Sequence, residues 1–312
     1  MIYLYIFVVI IGFVMLVKGA DFLVDGASSL AKKFGISELA IGLTIIAFGT
    51  SAPELIVNIF ASTGGHHGIT FGNILGSNIF NILVVLGVSG LIAPLVIKKN
   101  TIIKEMPFLI FATLATFALA WWGNVLSRWD GIILILLLLS FFYYIIGILK
   151  VNPVQDEDIK IFSTGQTILM MVVGIIGLFF GGKLVVDNSV KIAEMLNVSE
   201  KMIGLTIVAL GTSLPELVTS IVAVRKGRFD LAIGNVIGSN LFNLLLVLGV
   251  TALIHPVAYD LSLNADFTIL LTITIILFLS MLTGVKNRIS KLEAGIFLAI
   301  YGGFIAFLIY RG

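Results

Sequence analysis

Two copies of one short motif carry the residues best suited to chemistry. The first copy reads Gly-Thr-Ser-Ala-Pro-Glu and ends at Glu54, and the second reads Gly-Thr-Ser-Leu-Pro-Glu and ends at Glu216. Each lies in a long apolar run, where a carboxylate at bilayer depth costs roughly 2.5 kcal/mol or more and therefore indicates a functional site. Pro53 cannot donate a hydrogen bond to the carbonyl four residues earlier. The bend that this predicts leaves carbonyl oxygens beside hydroxyl and carboxylate oxygens, which suits a hard cation.

A second repeated motif, Gly-Asn-x-x-Gly-Ser-Asn-x-Phe-Asn, follows each copy of the first. Its polar residues recur every four positions, so they form one stripe on an otherwise apolar helix. The members of the two stripes are Asn73, Ser77, Asn81, Asn235, Ser239 and Asn243. The glycines would let another helix backbone approach closely. Two polar stripes and two bent carboxylate helices could thus close a centre of four helices at mid-membrane.

The oxygen atoms of this predicted centre suit Ca²⁺, which takes about six to eight oxygen ligands, bidentate carboxylates among them. Glu54 and Glu216 together offer four carboxylate oxygens, and their two negative charges neutralise one Ca²⁺. Hydroxyls, amides and the freed carbonyls would supply the remaining ligands. Na⁺ has a similar ionic size and also prefers oxygen, so it could compete for the same atoms.

The elements that must position these residues are membrane helices. The 312 residues are 59% hydrophobic and only 12% charged, with a mean hydropathy of +1.15, whereas soluble domains carry about 25% charged residues. Hydropathy predicts an all-α polytopic membrane protein with ten transmembrane helices of about 20 residues each. The predicted spans are 2–24, 39–60, 70–93, 105–123, 130–149, 164–186, 201–224, 231–253, 265–283 and 293–310.

Composition also excludes several classes of function. The net charge of +2 is too small to suggest nucleic acid as a partner, and the lack of cysteine excludes disulfides, thiolate metal sites and cysteine catalysis. The three histidines lie in predicted loops and neither HExxH nor GxSxG occurs, so we expect no enzyme. The apolar N-terminus has no basic segment and no cleavage site, which indicates a membrane helix rather than a signal peptide.

The two halves of the chain repeat each other at an offset of 162 residues. Residues 41–55 match residues 203–217 without gaps at 12 of 15 positions, and residues 72–88 match residues 234–250 at 12 of 17 positions. A unit with an odd number of spans must enter the membrane in opposite orientations in its two copies. The sequence therefore predicts inverted-topology repeats with a central site at the repeat interface.

The repeat divides the chain into two predicted domains and a linker. We expect a first five-helix repeat over 1–150, whose most repeated region is about 39–93. A cytoplasmic linker is predicted at 151–163, where the longest polar connection lies. The second five-helix repeat is expected over 164–312, with its most repeated region at about 201–253.

The charged residues predict how the chain lies in a cell membrane. If the N-terminus is outside, the inside segments hold 13 Lys and Arg and the outside segments hold 4. The positive-inside rule therefore favours a multi-pass protein with both termini outside. Of the 17 Asp and Glu, only Glu54 and Glu216 fall well inside a predicted span.

The paired motifs resemble the alpha-repeats of the calcium/cation antiporter superfamily, and within it the sodium/calcium exchangers of compact prokaryotic type. The resemblance covers the whole chain. It implies ten helices in inverted five-helix repeats and antiport of Ca²⁺ against Na⁺ by alternating access, with no organic cofactor. Carried over by motif position, it implies a metal site of Glu54, Glu216, Thr50, Ser51, Thr212, Ser213, Ser77, Ser239, Asn81 and Asn243, with the backbone carbonyls of Ala47 and Ala209.

One departure from the family and two alternatives remain open at this point. Several family members, including potassium-dependent ones, carry Asp where this chain has Asn243, so the site keeps two formal charges. This argues against a K⁺ requirement and leaves the ion stoichiometry open. An H⁺/Ca²⁺ antiporter could use the same two glutamates, and a cation channel is the rival of another class. The expected partners are the transported cations and the lipid bilayer, and a monomer would suffice.

Overall fold

The computed structural model describes residues 2–149, 159–196, 209–283 and 287–311. Apart from four strands of two residues each, the regular structure of this described part is helical, which confirms the all-helical fold class. The helices are α1 Ile2–Phe34, α2 Glu38–Thr50, α3 Ala52–Thr63, α4 His67–Ile92, α5 Thr101–Trp121, α6 Arg128–Ile148, α7 Thr164–Met195, α8 Ala209–Gly211, α9 Leu214–Arg225, α10 Phe229–Ile254, α11 Leu261–Thr283 and α12 Lys291–Arg311.

Eight of these helices are long and apolar enough to cross a membrane, and the bent pair α2 and α3 makes a ninth candidate span within the described ranges. The predicted seventh span, 201–224, lies partly outside the described residues, which resume at Ala209. These eight or nine candidate spans confirm the hydropathy prediction of a membrane protein that crosses the bilayer many times.

Helices α1 and α7 are longer than predicted. They end at Phe34 and Met195 rather than at residues 24 and 186. Hydropathy falls at the charged residues near the end of each predicted span, but charge does not stop a helix whose polar side chains can reach partners. In α1, Asp21 and Asp25 form ion pairs with Lys226, with N–O distances of 3.1 and 2.7 Å.

These two long helices pack against each other in antiparallel orientation through glycines. A Cβ atom at Gly12 would lie 2.9 Å from the carbonyl oxygen of Gly181, and one at Gly19 would lie 2.8 Å from that of Gly174. Higher residue numbers on α1 thus meet lower numbers on α7. Small residues at such crossings let helix backbones approach closely within a membrane. Gly12 corresponds to Gly174, and Gly19 corresponds to Gly181, at the repeat offset of 162 residues. The two contacts are therefore equivalent in the two halves.

Short sequence signals set where some helices begin. Ser163 precedes α7, where its hydroxyl accepts a hydrogen bond from the Gln166 backbone N–H at 3.3 Å, and Gln166 Oε1 accepts one from the Ser163 N–H at 3.1 Å. Ser127 and Asp130 form the same reciprocal pair at the start of α6. Such capping boxes satisfy N–H groups that the first turn of a helix leaves free.

Two antiparallel ribbons connect the halves of the chain. Strand β1 (Leu95–Val96) pairs with β4 (Arg288–Ile289), and β2 (Val125–Leu126) pairs with β3 (Val257–Ala258). In each ribbon one strand comes from the first half and the other from the second. The ribbons therefore hold loops of opposite halves together beyond the ends of the helices that carry the repeated motifs.

Candidate ion-binding site

Each copy of the first motif forms a break between two helices. Ser51 lies between α2 and α3 with φ −86° and ψ 5°, and Ser213 lies between α8 and α9 with φ −90° and ψ 5°. Pro53 and Pro215 stand in the first turn of the helix that follows, a position where the missing N–H is tolerated. The axes of α2 and α3 differ by 45°. The predicted bend is therefore present in the first copy, and the same backbone conformation recurs in the second.

The two acidic residues of the motifs lie together in the centre, each facing the opposite copy. Glu54 and Glu216 are both 0% exposed. Ser51 donates a hydrogen bond to Glu216 Oε1 at 3.2 Å, and Ser213 donates one to Glu54 Oε1 at 3.4 Å. The two helix breaks thus exchange partners across the interface between the halves.

The second motif joins helices α4 and α10 through four asparagines. Asn81 donates to Asn240 Oδ1 at 3.2 Å, and Asn243 donates to Asn78 Oδ1 at 3.0 Å. Asn78 and Asn240 also donate to each other's backbone carbonyl, at 3.3 and 3.5 Å. Interhelical amide bonds of this kind stabilise helix pairs in membranes. They use the N–H groups of Asn81 and Asn243 and leave the side-chain oxygens of these two residues free.

Several buried oxygens in this region have no hydrogen-bond partner. They are Glu54 Oε2, Glu216 Oε2, Ser77 Oγ, Asn81 Oδ1, Asn243 Oδ1, Asn58 Oδ1 and Thr219 Oγ1. Buried polar atoms are nearly always paired in proteins, so a cluster of unpaired ones calls for a ligand. Most of these atoms are acceptors, and hard cations coordinate such oxygens. The described residues hold no group of three or more His, Asp or Glu suited to a metal, so neutral oxygens would have to complete the coordination around the two carboxylates.

Thr50 and Thr212, which precede the serines of the two breaks, lie in different surroundings. Thr50 is fully buried and contacts Asn235 Oδ1 at 3.0 Å and Ser239 Oγ at 3.2 Å. Thr212 is partly exposed and donates to Asn73 Oδ1 at 3.3 Å. Both Thr212 and Asn73 line a cavity of about 500 Å³ whose other walls are mostly apolar.

The two carbonyls predicted as ligands have different outcomes. The carbonyl of Ala47 accepts hydrogen bonds from the Ser51 N–H at 3.0 Å and from the Thr50 hydroxyl at 3.3 Å, so it is engaged within its own helix turn. A carbonyl has two lone pairs, and it can bind a cation once the hydroxyl turns away. Ala209 begins the short helix α8, directly after residues that lie outside the described ranges.

A third acidic residue, Glu105, is as fully buried as Glu54 and Glu216. Helix α5 begins at Thr101 rather than at residue 105, so Glu105 lies inside it, fully buried. Hydropathy shortened this span because Lys104 and Glu105 are charged. Glu105 accepts a hydrogen bond from Tyr144 of α6. Neither residue belongs to one of the two repeated motifs.

Sequence reasoning overlooked two further polar residues, each four positions after one of the central glutamates. Asn58 donates to the Glu54 backbone carbonyl at 2.8 Å, and Ser220 accepts from Asn235 at 3.1 Å. Both are 0% exposed. Their spacing of four from a glutamate on an apolar helix was a usable signal, because such residues share one helix face.

Comparison with known proteins gives one family. The profile of the family described as sodium/calcium exchanger protein matches residues 4–147 and 166–310. The inner membrane protein YrbG of Escherichia coli is 35% identical over 310 residues, which cover 96% of this chain and 94% of the relative. The sodium/calcium exchanger MaX1 of Methanosarcina acetivorans is 31% identical over 344 residues, covering 97% of this chain and 98% of the relative.

A solved structure matches the whole fold. The sodium-calcium exchanger NCX_Mj, soaked with zero Na⁺ and Ca²⁺, superimposes with a TM-score of 0.86 at 32% sequence identity. The match covers 98% of this chain and 99% of that structure. A second structure of the same exchanger, soaked with Na⁺ and Ca²⁺, gives a TM-score of 0.84.

Proposed function

Since this chain belongs to the sodium/calcium exchanger protein family, we propose that it is a secondary active antiporter that exchanges Ca²⁺ for Na⁺ across a cell membrane. The single observation that carries the proposal is the pair of fully buried glutamates, Glu54 and Glu216, each with one unpartnered carboxylate oxygen. Two buried carboxylates without cationic partners are costly, and a bound cation offsets that cost.

The proposed ligands come equally from the two halves. One Ca²⁺ would bind between Glu54 and Glu216, and the free oxygens of Ser77, Asn81 and Asn243 support this assignment. Na⁺ ions would occupy overlapping positions, because both cations prefer oxygen ligands. The full proposed set is Glu54, Glu216, Thr50, Ser51, Thr212, Ser213, Ser77, Ser239, Asn81 and Asn243, with the carbonyls of Ala47 and Ala209.

We infer ten transmembrane helices in two inverted repeats, 1–150 and 164–312. Three observations support this architecture: helices α1 and α7, which correspond in the two halves, run antiparallel, the two motifs exchange hydrogen bonds across the centre, and the strand ribbons pair one half with the other. The excess of Lys and Arg in alternate loops supports a multi-pass protein with both termini outside.

Exchange follows from the charge of the centre. Without a cation the two carboxylates would repel each other in a site of low dielectric, so we expect the empty carrier to change state slowly. One Ca²⁺, or Na⁺ ions in its place, neutralises the site and allows the change. Helices α1 and α7, packed through glycines on the outside of the motif helices, are the elements that we expect to slide.

The test is Ca²⁺ uptake by proteoliposomes in which the gradients of Na⁺, K⁺ and H⁺ are imposed one at a time. We expect an outward Na⁺ gradient to drive uptake of radiolabelled Ca²⁺, with no requirement for K⁺. Uptake driven by a pH gradient alone would establish the H⁺/Ca²⁺ antiporter instead. Ca²⁺ flux that persists with no exchangeable ion on the other side would establish a channel.

A further inference from the structure

The helix turns that follow the two glutamates differ between the halves of an otherwise repeated centre. The central glutamates, the threonines and serines before them and the stripe residues are identical in the two halves at the offset of 162 residues. Four positions after the glutamate, however, the first half has Asn58 and the second half has Ser220. Both side chains are buried on the helix face that carries the glutamate.

In the second half, the oxygen at this position accepts a hydrogen bond, whereas Thr219 Oγ1, one position earlier, is buried and unpaired. Asn235 of helix α10 donates to the backbone carbonyl of Glu216 at 3.3 Å and to Ser220 Oγ at 3.1 Å. The serine oxygen therefore already accepts a hydrogen bond. The asparagine from the neighbouring helix ties the glutamate turn to α10 and leaves no oxygen of Ser220 facing the centre unpaired.

In the first half, Asn58 takes over this role and leaves an oxygen free. Its side-chain N–H donates to the Glu54 carbonyl at 2.8 Å. Asn73, the counterpart of Asn235, has no partner for its side-chain nitrogen and is partly exposed. Asn58 Oδ1 is shielded from solvent, and no hydrogen bond reaches it. The result is an unpaired amide oxygen one helical turn from the unpaired Oε2 of Glu54.

We propose that Asn58 Oδ1 and Glu54 Oε2 share a Na⁺ ion, through an amide oxygen that Ser220 does not provide in the second half. Residues four apart on a helix have Cβ atoms about 5–6 Å apart, so both oxygens can reach one cation. One carboxylate and one neutral amide give a single negative charge, which one monovalent ion balances. The proposal rests on the Na⁺/Ca²⁺ exchange proposed above and adds a ligand that neither motif contains.

The next helical turn continues the asymmetry. Ser62, four residues after Asn58, is also 0% exposed and donates to the His255 carbonyl at 3.3 Å. The matching residue in the second half is Val224, which is apolar and buried. Ser62 thus continues the polar face of Glu54 and Asn58 by one more helical turn, where Val224 makes the second half apolar.

The test compares Asn58→Ser with a control that loses the same kind of hydrogen bond. Asn188 in α7 is also buried and donates to the carbonyl four residues earlier, at 2.8 Å, but it stands outside the centre. We expect Asn58→Ser to raise the Na⁺ concentration for half-maximal Ca²⁺ uptake about tenfold, the factor for about 1.4 kcal/mol of binding free energy. Asn188→Ser is expected to keep the wild-type Na⁺ dependence.

A second variant separates a ligand from a structural residue. Asn58→Asp keeps an oxygen at the position but loses the N–H that bonds to the Glu54 carbonyl. A ligand role predicts that Asn58→Asp does not show the tenfold rise of Asn58→Ser, because its added negative charge favours Na⁺. It also predicts that Asn58→Asp still gains melting temperature when Na⁺ is added to the purified protein. Equal behaviour of Asn58→Asp and Asn58→Ser, or an equal shift in Asn58→Ser and Asn188→Ser, would overturn the proposal.

The same assays distinguish this failure from failure of the proposed function. Wild-type protein without any Na⁺-driven Ca²⁺ uptake would contradict the exchange function itself. Wild-type exchange with an unchanged Na⁺ dependence in Asn58→Ser would contradict only the role of Asn58. The Na⁺-dependent melting temperature reports on Na⁺ binding in each variant whether or not Ca²⁺ is transported.

Discussion

The two copies of the helix break differ in sequence only at Ala52 and Leu214, yet their surroundings differ. On the first side, Thr50 is sealed between Asn235 and Ser239. On the second side, Thr212 contacts Asn73, and both lie in the wall of the 500 Å³ cavity. The same motif thus occurs once in fully buried surroundings and once at the wall of a cavity. A carrier that exposes its site to each side in turn needs this property, because its two halves must exchange these settings.

The largest effect on Ca²⁺ uptake is expected from replacing the glutamate that ends each copy of the motif. We expect Glu54→Gln and Glu216→Gln each to reduce Ca²⁺ uptake to that of protein-free vesicles, because one remaining carboxylate cannot neutralise a divalent ion. Glu105→Gln is the matched control, since Glu105 is equally buried and also has one bonded and one unpaired oxygen, but lies outside both motifs. It should retain uptake. Normal transport by either central variant would refute the assignment of the site.

Cysteine labelling measures the difference between the two sides directly, because the chain contains no cysteine. Asn73 is partly exposed at the cavity and Asn235 is fully buried on the sealed side. We expect Asn73→Cys to react with a membrane-impermeant thiol reagent about tenfold or more faster than Asn235→Cys, since thiol reactivity follows exposure. Equal rates would mean that the two sides are equally open in solution.

An added carboxylate should change the ions rather than the fold. Asn243→Asp brings a third negative charge to a free oxygen position, and charges in a site of low dielectric interact strongly. We expect a several-fold change in the Na⁺ concentration for half-maximal uptake, with little change in melting temperature. Asn81→Asp makes the same change in the other half, and its Na⁺ dependence is compared with that of Asn243→Asp. An unchanged Na⁺ dependence in Asn243→Asp would remove that residue from the site.

The smallest effect is expected from the ion pairs that join α1 to the residue directly after α9. Lys226 pairs with Asp21 and Asp25 at 3.1 and 2.7 Å, and all three side chains are partly exposed. Such ion pairs contribute about 0–1 kcal/mol, so Lys226→Ala should lower the labelling ratio of Asn73→Cys to Asn235→Cys by less than about fivefold. A larger ratio than in the parent proteins would show that these ion pairs do not stabilise the arrangement in which Asn235 is buried and Asn73 is exposed.

Sequence and structure agree most closely where the repeat is strongest. The bend at Ser51 follows from Pro53, and the pairing of Glu54 with the opposite half follows from an inverted repeat. Helix lengths were less predictable, because Asp21 and Asp25 interrupt hydropathy without interrupting the helix. Hydropathy placed Glu105 at the start of its span but could not show that it is fully buried. Thr50 and Thr212 have the same neighbours in sequence, so no local pattern could tell which of them is sealed.

The role of Asn58 could not be predicted from the motifs, because it lies outside both. Its importance depends on Asn73, which lies on another helix and whose side-chain nitrogen has no hydrogen-bond partner in the fold. A comparison of Asn58 with Ser220 in the sequence alone reveals a difference but not which oxygen remains unpaired. That outcome depends on tertiary hydrogen bonding.

The most direct test of the central claim is a crystal structure of the protein soaked with Ca²⁺, with the ion located by anomalous scattering. The account predicts one strong peak between the two central glutamates, with an oxygen of Glu54 and an oxygen of Glu216 each about 2.3–2.6 Å from the ion. A Ca²⁺ ion bound elsewhere, or contacting only one of these carboxylates, would contradict it.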